Sequence, residues 1–492
     1  MKNFIGVYLF LIFITSFSWA AIELPNVIGS NMVLQRDLPV PIWGWGEPGE
    51  KVSVTFAGQS QNTTTNQKGE WMVKLDNLSA SFTPSTLVIQ GTNEIKLENI
   101  LVGEVWICSG QSNMEWSVSR CANPQQEIAN ARYPQIRLFD VPGHTIHRAP
   151  QSKGKGSWQI CSPNTVPRFS ATGYYFGRRL HKELNVPIGL IGSNWGGTRI
   201  EPWTTIDGFK SVPELSSLAE QAASYKPDTK IGAGSPSAIY NSMVHPLTPF
   251  AMRGAIWYQG ESNGNEGESY YQKKHALVNG WREAFQNPDL AFYWTQLCSW
   301  DHGNLLKKGN PEKHAWAKDW GPLREAQFKA LDIPNSGMAV IIDLADAHNP
   351  GDIHPRNKQD VGWRLAQWAL HQTYGKTELI PSGPLLAKQE IEKDKIRLSF
   401  DYTGRGLMVG EKKGTEPTKP LQNGKLAEFE IAGADKQWFP ADAVINGKQV
   451  LVSSPKVKNP VAVRYAYYIC PIRANLYNQE GLPASPFRTD NW

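Results

Sequence analysis

Apolar and polar positions divide the chain into three stretches with different periods. From Ala21 to about Ile100 they alternate in short pieces such as PVPIWGWGEPGEKVSVTFAG and GEWMVKLDNL, broken at Pro-Gly and Lys-Gly. A period of two interrupted by turn residues predicts short strands, each with one face buried. From Leu101 to about Lys376 the runs LVGEVWIC, VPIGLIGSNW, RGAIWYQG and GMAVIIDL are largely apolar, while YYFGRRLHKELN and YQKKHALVNGWREAFQ carry helical spacing. Apolar strands separated by amphipathic helices predict a parallel sheet covered on both faces. Short alternating strands return after Leu386 in KIRLSFDY, KLAEFEIAG, KQVLVSSP and VAVRYAYY. The expected organisation is an N-terminal β-sandwich over 21–100, an α/β domain with a doubly wound parallel sheet over 101–385, and a C-terminal β-rich region over 386–492.

The first 20 residues have another character. Lys2 precedes an apolar run from Phe4 to Phe17, and Ser18 and Ala20 are the small residues of a cleavage site. This predicts a secretory signal removed after Ala20, and a periplasmic or extracellular protein. No Cys follows Ala20 to carry a lipid, and no later run is apolar and long enough to span a bilayer.

Composition excludes some classes. The net charge of +5 is spread without a basic block, which argues against a nucleic-acid partner. The 19 Trp and 16 Tyr suit a protein that handles sugars. Five cysteines, an odd number without C-x-x-C spacing, give neither a disulfide framework nor a zinc site, and Cys108 is expected to be a buried small hydrophobe.

Candidate chemistry collects where open α/β sheets bind ligands, at the C-terminal ends of the strands. Gly110-Gln111-Ser112-Asn113 follows the first apolar run, Ser193 to Thr198 with the pair Gly196-Gly197 follows the second, and Gln259-Gly260-Glu261-Ser262-Asn263 follows the third. The fourth strand-like run leads into DAHNPGDIHPRNK, with Asp352 and His354. Cleaving an ester through serine needs a hydroxyl, a base for its proton and donors for the oxyanion. Ser112 supplies the hydroxyl and His354 the base. The backbone N–H groups of Ser112, Gly196 and Gly197 and the amides of Gln259 or Asn263 are candidate oxyanion donors. Such a system is chemically complete, so no metal or organic cofactor is expected.

These blocks resemble those of the SGNH (GDSL-like) hydrolases, and in wording the sialate O-acetylesterase branch. NMVLQRDLPVPIWGWGEPGEKV, LVGEVWICSGQSNMEW, IWYQGESN, DIHPRNKQDVGWRLA and GLPASPFRTDNW carry the resemblance across nearly the whole mature chain. It implies a flavodoxin-like sheet, Ser112 as nucleophile and an O-acetylated sugar as substrate. It points to 9-O-acetyl sialic acid, with acetylated xylan or pectin as the alternative. The usual SGNH pattern places an Asp three residues before the histidine, where this chain has Gly351. Glu261, from a neighbouring strand end, is therefore expected about 3 Å from His354 Nδ1, in preference to Asp352, because side chains at i and i+2 of an extended segment run about 7 Å apart.

Each residue also has a plainer reading. Gly196-Gly197 would serve as a tight turn and His354 as a loop histidine bonded to backbone. Arg199 would either bind a sugar carboxylate or pair with Glu201. Asp343 and Asp346 lack the oxygen-rich spacing of a calcium loop and read as structural. A glycosidase using Glu261 with Asp346 or Asp352 would leave the Ser112 block unexplained, as would a non-catalytic sugar-binding protein. The run GQSNM lacks the second glycine of a G-x-S-x-G elbow, which disfavours the α/β-hydrolase fold.

Overall fold

The computed structural model describes residues 21–303, 320–346 and 348–492. The signal segment expected over 1–20 lies outside them. The central sheet has seven strands, labelled along the chain: β1 (Glu94–Gly110), β2 (Tyr133–Asp140), β3 (Trp158–Cys161), β4 (Ile188–Asn194), β5 (Gly254–Tyr258), β6 (Ala291–Thr295) and β7 (Ser336–Ala339). Their order is β7-β6-β5-β1-β4-β2-β3, parallel except for the β2–β3 pair at the edge.

Leaving out β2 and β3, the order is that of a flavodoxin-like sheet, with β1 between the second and third parallel strands. The flavodoxin-like order therefore gains β2 and β3, which lie between β1 and β4 in sequence and beyond β4 in the sheet. The four apolar runs mark neither of these two nor β6, and in YPQIRLFD the charged and polar positions dilute the strand pattern. The direction of winding reverses at β1, which puts its C-terminal end at the sheet's crevice.

Successive residues of β1 enter different cores. Val105 and Ile107 join a cluster with Trp257, Trp294, Leu277, Trp281 and Leu323. Trp106 and Cys108 join another with Leu190, Tyr258, Tyr174, Phe176, Val361 and Leu365. A strand buried on both faces has no polar position to alternate, so LVGEVWIC reads as a continuous apolar run. The helices involved are α1 (Ser112–Glu115), α2 (Ala171–Leu184), α3 (Glu268–Ala284), α4 (Trp320–Lys329) and α5 (Lys358–Trp368). Leu277, Trp281 and Leu323 lie on α3 and α4 and cover one face, and the residues from α2 and α5 cover the other.

The N-terminal half of β1 pairs antiparallel with Ser81–Gln90, which pairs in turn with Lys51–Phe56. The expected border between residues 100 and 101 thus falls inside one continuous strand. A second small sheet pairs Val40–Trp45 with Glu70–Leu75. Ile42 and Val73 from it and Val54 and Ile89 from the first are buried in one cluster. From Leu385 onward, short antiparallel strands enclose a separate core containing Ile396, Leu398, Ile431, Val450 and Val463. All five cysteines are buried and unpaired.

Gly110, the last residue of β1, has a φ of +140°, and a Cβ there would lie 2.1 Å from the carbonyl oxygen of Tyr258 on β5. Both the backbone angle and the close approach demand glycine. We expect Gly110→Ala to cost about 2 kcal/mol or more and to lower the thermal midpoint by several degrees, read by differential scanning fluorimetry.

Candidate active site

The turn from β1 into α1 puts Ser112 in the first helical turn, beside the ends of β4 and β5. Ser112 Oγ lies 2.9 Å from His354 Nε2. His354 comes from the loop that joins β7 to α5. Its Nδ1 lies 3.2 Å from Asp352 Oδ1, and the same oxygen accepts the His354 backbone N–H at 2.9 Å. The loop is bent here, with Asp352 N–H donating to Asn349 O at 2.9 Å. That bend removes the extended spacing on which the preference for Glu261 rested, since an acid side chain that caps the N–H two residues on is already near the ring.

Glu261 does not bond the imidazole. Its Oε1 accepts Asn113 Nδ2 at 2.5 Å. Asn113 Nδ2 also donates to Ile353 O at 3.1 Å, and Asn113 Oδ1 accepts Lys358 Nζ. One amide, next to Ser112, therefore joins a carboxylate, a cation and the carbonyl preceding His354. Lys358 is fully buried and Asn113 nearly so. Burial pushes the Glu261 carboxyl up and brings the Lys358 ammonium down to about 7, against the attraction between the two. On the other side of Ser112 in sequence, Gln111 Oε1 accepts the N–H groups of Gly260 at 3.4 Å and Ser262 at 3.2 Å.

The His354 ring stacks on Trp116 at 4.7 Å and 16°, and the Arg120 guanidinium lies 3.7 Å from the centre of the same indole. Partial burial, the Lys358 charge and, more weakly, Arg120 hold the imidazole below its ordinary pKa, while Asp352 opposes them. A neutral imidazole beside a hydroxyl at hydrogen-bond distance is equipped to take its proton.

Three of the five expected oxyanion donors have other partners. Gln259 Nε2 donates to Asn263 Oδ1 at 2.7 Å and Thr198 O at 3.2 Å. Asn263 Nδ2 donates to Glu201 and Glu266, each at 3.2 Å. Both amides lie inside the fold and fasten the Gly196 loop to the β5 turn. The Gly196 N–H donates to Glu115 Oε2 at 2.7 Å. A Cβ on Gly196 would lie 3.2 Å from the Ser112 Cβ, so glycine keeps the loop close to the serine. The Ser112 and Gly197 N–H groups bond no acceptor among the described residues.

Arg199 takes the structural alternative. It pairs with Glu201 at 2.9 Å and with Glu266, and Lys273 bridges the same two carboxylates at 2.8 and 2.6 Å. Against its own burial, Glu201 is held down to about 2 by Arg199 and Lys273. Two cations and two anions neutralise one another. Asp343 forms a buried pair with Arg364 at 2.6 and 2.9 Å, and Asp346 Oδ1 caps the His348 N–H at 2.9 Å.

Residues 102–371 match the family model described as carbohydrate esterase, sialic acid-specific acetylesterase. The chain belongs to that family. It is a carbohydrate acetylesterase, a hydrolase that removes O-acetyl groups from sugars. Human sialate O-acetylesterase is 32% identical, the alignment covering 94% of this chain and 91% of that one. The mouse sialate O-acetylesterase is 30% identical over 94% of this chain and 93% of its own length. The crystal structure of a carbohydrate acetylesterase from Xanthomonas citri superposes with a TM-score of 0.83 at 37% identity, covering 96% of this chain and 100% of that one.

Within this acetylesterase, sequence reasoning overlooked Gln111, Asn113, Glu115 and Lys358. All four stand in the quoted blocks GQSNME and DIHPRNK, and the signal was their position beside Ser112 and His354. A predicted consequence concerns the imidazole. Removing a nearby positive charge favours the imidazolium, so Lys358→Met and, more weakly, Arg120→Gln raise the His354 pKa, and Asp352→Asn lowers it. Titration of the ring protons by NMR reads all three directions; an unchanged value in Lys358→Met would refute the electrostatic account.

Proposed function

We propose that Ser112, His354 and Asp352 carry out acetyl transfer from a sugar hydroxyl to water. The carrying observation is the continuous series Ser112 Oγ to His354 Nε2 at 2.9 Å and His354 Nδ1 to Asp352 at 3.2 Å, at the sheet's switch point. His354 takes the Ser112 proton as Oγ attacks the acetyl carbonyl. The tetrahedral oxyanion is received by the Ser112 and Gly197 N–H groups. His354 then returns the proton to the departing sugar oxygen, leaving acetyl-Ser112. Water, deprotonated by His354, releases acetate and restores the serine. Asp352 holds the imidazole tautomer with its N–H on Nδ1.

We take the substrate to be 9-O-acetylated sialic acid, supported by relatives named sialate O-acetylesterase along nearly all of the chain. Lys2, the apolar run and Ala20 support export with cleavage after Ala20. Acetate release from a panel of O-acetylated sialosides and acetylated xylan tests the substrate: faster hydrolysis of the xylan would overturn the sialate reading.

Ser112→Ala is expected to abolish acetate release, leaving at most about 10³–10⁴-fold over water, while circular dichroism stays unchanged. Near-normal turnover would remove Ser112 from the mechanism. Asp352→Asn should lower kcat by about 10³–10⁴ through the wrong tautomer, and Glu261→Gln by far less, since its carboxyl bonds the Asn113 amide and not the imidazole. Steady-state kinetics on one acetylated sugar decides, and the reverse order would give the orienting role to Glu261.

A further inference from the structure

The Gly196-Gly197 pair has no side chains to pack, so its place beside Ser112 depends on what grips its backbone. The two ends of the loop are tied to the fold. Trp195 N–H donates to Gly110 O at 3.1 Å, and Thr198 O accepts Gln259 Nε2 at 3.2 Å. Between these ties the Gly196 N–H donates to Glu115 Oε2 at 2.7 Å. Glu115 closes α1, the four-residue helix that opens with Ser112. One short helix thus carries both the serine and the carboxylate that grips the loop opposite it.

His144, from the loop between β2 and β3, completes the grip. Its Nε2 lies 3.0 Å from Glu115 Oε1, and its ring stacks on the Trp195 indole at 4.8 Å and 7°. It therefore steadies both the carboxylate that holds Gly196 and the residue just before Gly196. The two side chains are open to solvent, 43% for His144 and 38% for Glu115. A pair so exposed adds little to the stability of the fold. What it fixes is position, because the N–H to carboxylate bond is short and directional. Position matters here: a Cβ on Gly196 would lie 3.2 Å from the Ser112 Cβ, and the next N–H along the chain is that of Gly197.

We propose that Glu115 and His144 are positioning residues for ester cleavage, holding the Trp195–Gly196 backbone against Ser112 so that the Gly197 N–H keeps its place for the oxyanion. This role rests on the serine mechanism above, and neither side chain takes or gives a proton in it. A misplacement of about 1 Å in a reacting geometry can cost about a hundredfold in rate. The carboxylate matters as a hydrogen-bond acceptor for Gly196, so an uncharged group with an oxygen in the same place does the same work.

Glu115 and His144 also line a cavity of about 320 Å³, where they could touch a sugar instead. The test therefore uses the full-length protein and para-nitrophenyl acetate, which delivers the acetyl group without a sugar. Glu115→Ala should lower kcat about 10–100-fold with KM within about twofold, since both acyl transfers pass through the same oxyanion. Glu115→Gln should stay within about threefold of the wild type, its amide oxygen accepting the Gly196 N–H and its NH₂ donating to the neutral imidazole. His144→Ala should lower kcat by a smaller factor, about threefold to tenfold, because Glu115 keeps its bond to Gly196. Thermal midpoints should stay within about 2 °C, as expected for exposed side chains. His144→Ala and Glu115→Gln keep the test open if Glu115→Ala does not fold. Wild-type kcat in Glu115→Ala and His144→Ala, a loss in Glu115→Gln as deep as in Glu115→Ala, or a rise in KM at unchanged kcat would each overturn the proposal. Ser112→Ala in the same assay separates the two levels: turnover retained there would overturn the serine mechanism and this role with it.

Discussion

The site is organised around one buried amide. Asn113 stands between the Lys358 ammonium and the Glu261 carboxylate, its oxygen toward the cation and its nitrogen toward the anion. Asn113 and Lys358 are buried, so each needs its partner, and removing one member of a buried pair typically costs about 3–5 kcal/mol. That penalty makes the arrangement a constraint on geometry. Three chain segments, the end of β1, the turn after β5 and the start of α5, must meet for it to be satisfied. Ser112 and His354 are the immediate neighbours of residues that this amide holds, so their approach to 2.9 Å follows from its bonding.

A second set of bonds does the same on the far side of the serine. Gln259 and Asn263 fasten the glycine loop to the β5 turn, and the cluster of Arg199, Glu201, Glu266 and Lys273 locks both. Polar side chains that look free to handle substrate thus serve to pre-position the backbone. This agrees with the requirements of ester cleavage. The reacting groups must be held within hydrogen-bond reach before substrate arrives, and backbone N–H groups are the donors least able to move.

The electrostatics of the imidazole follow from the same packing. Lys358 and Arg120 press its pKa down while Asp352 presses it up, with partial burial on the side of the neutral form. The anchoring cation therefore also tunes the imidazole. Positioning and proton affinity are set by one contact network and cannot be varied independently.

Much of this was legible along the chain. The double burial of β1, the helices on either face, Ser112 at a strand end and His354 in the loop after the last strand all follow from local period, turn chemistry and motif spacing. The edge strands β2 and β3 were not legible, because their mixed polar composition matches many loops equally well. Nor was the choice between Glu261 and Asp352. The i, i+2 separation argued for Glu261, and that preference failed on a bend that lets Asp352 accept the His354 N–H and so approach the ring. The partners of Asn113 stand 148 and 245 residues away. Local sequence determines which groups a segment can offer, because conformational preference acts over a few residues. Which donor finds which acceptor is decided only when the sheet brings distant strand ends together and excludes the water that would otherwise satisfy them all.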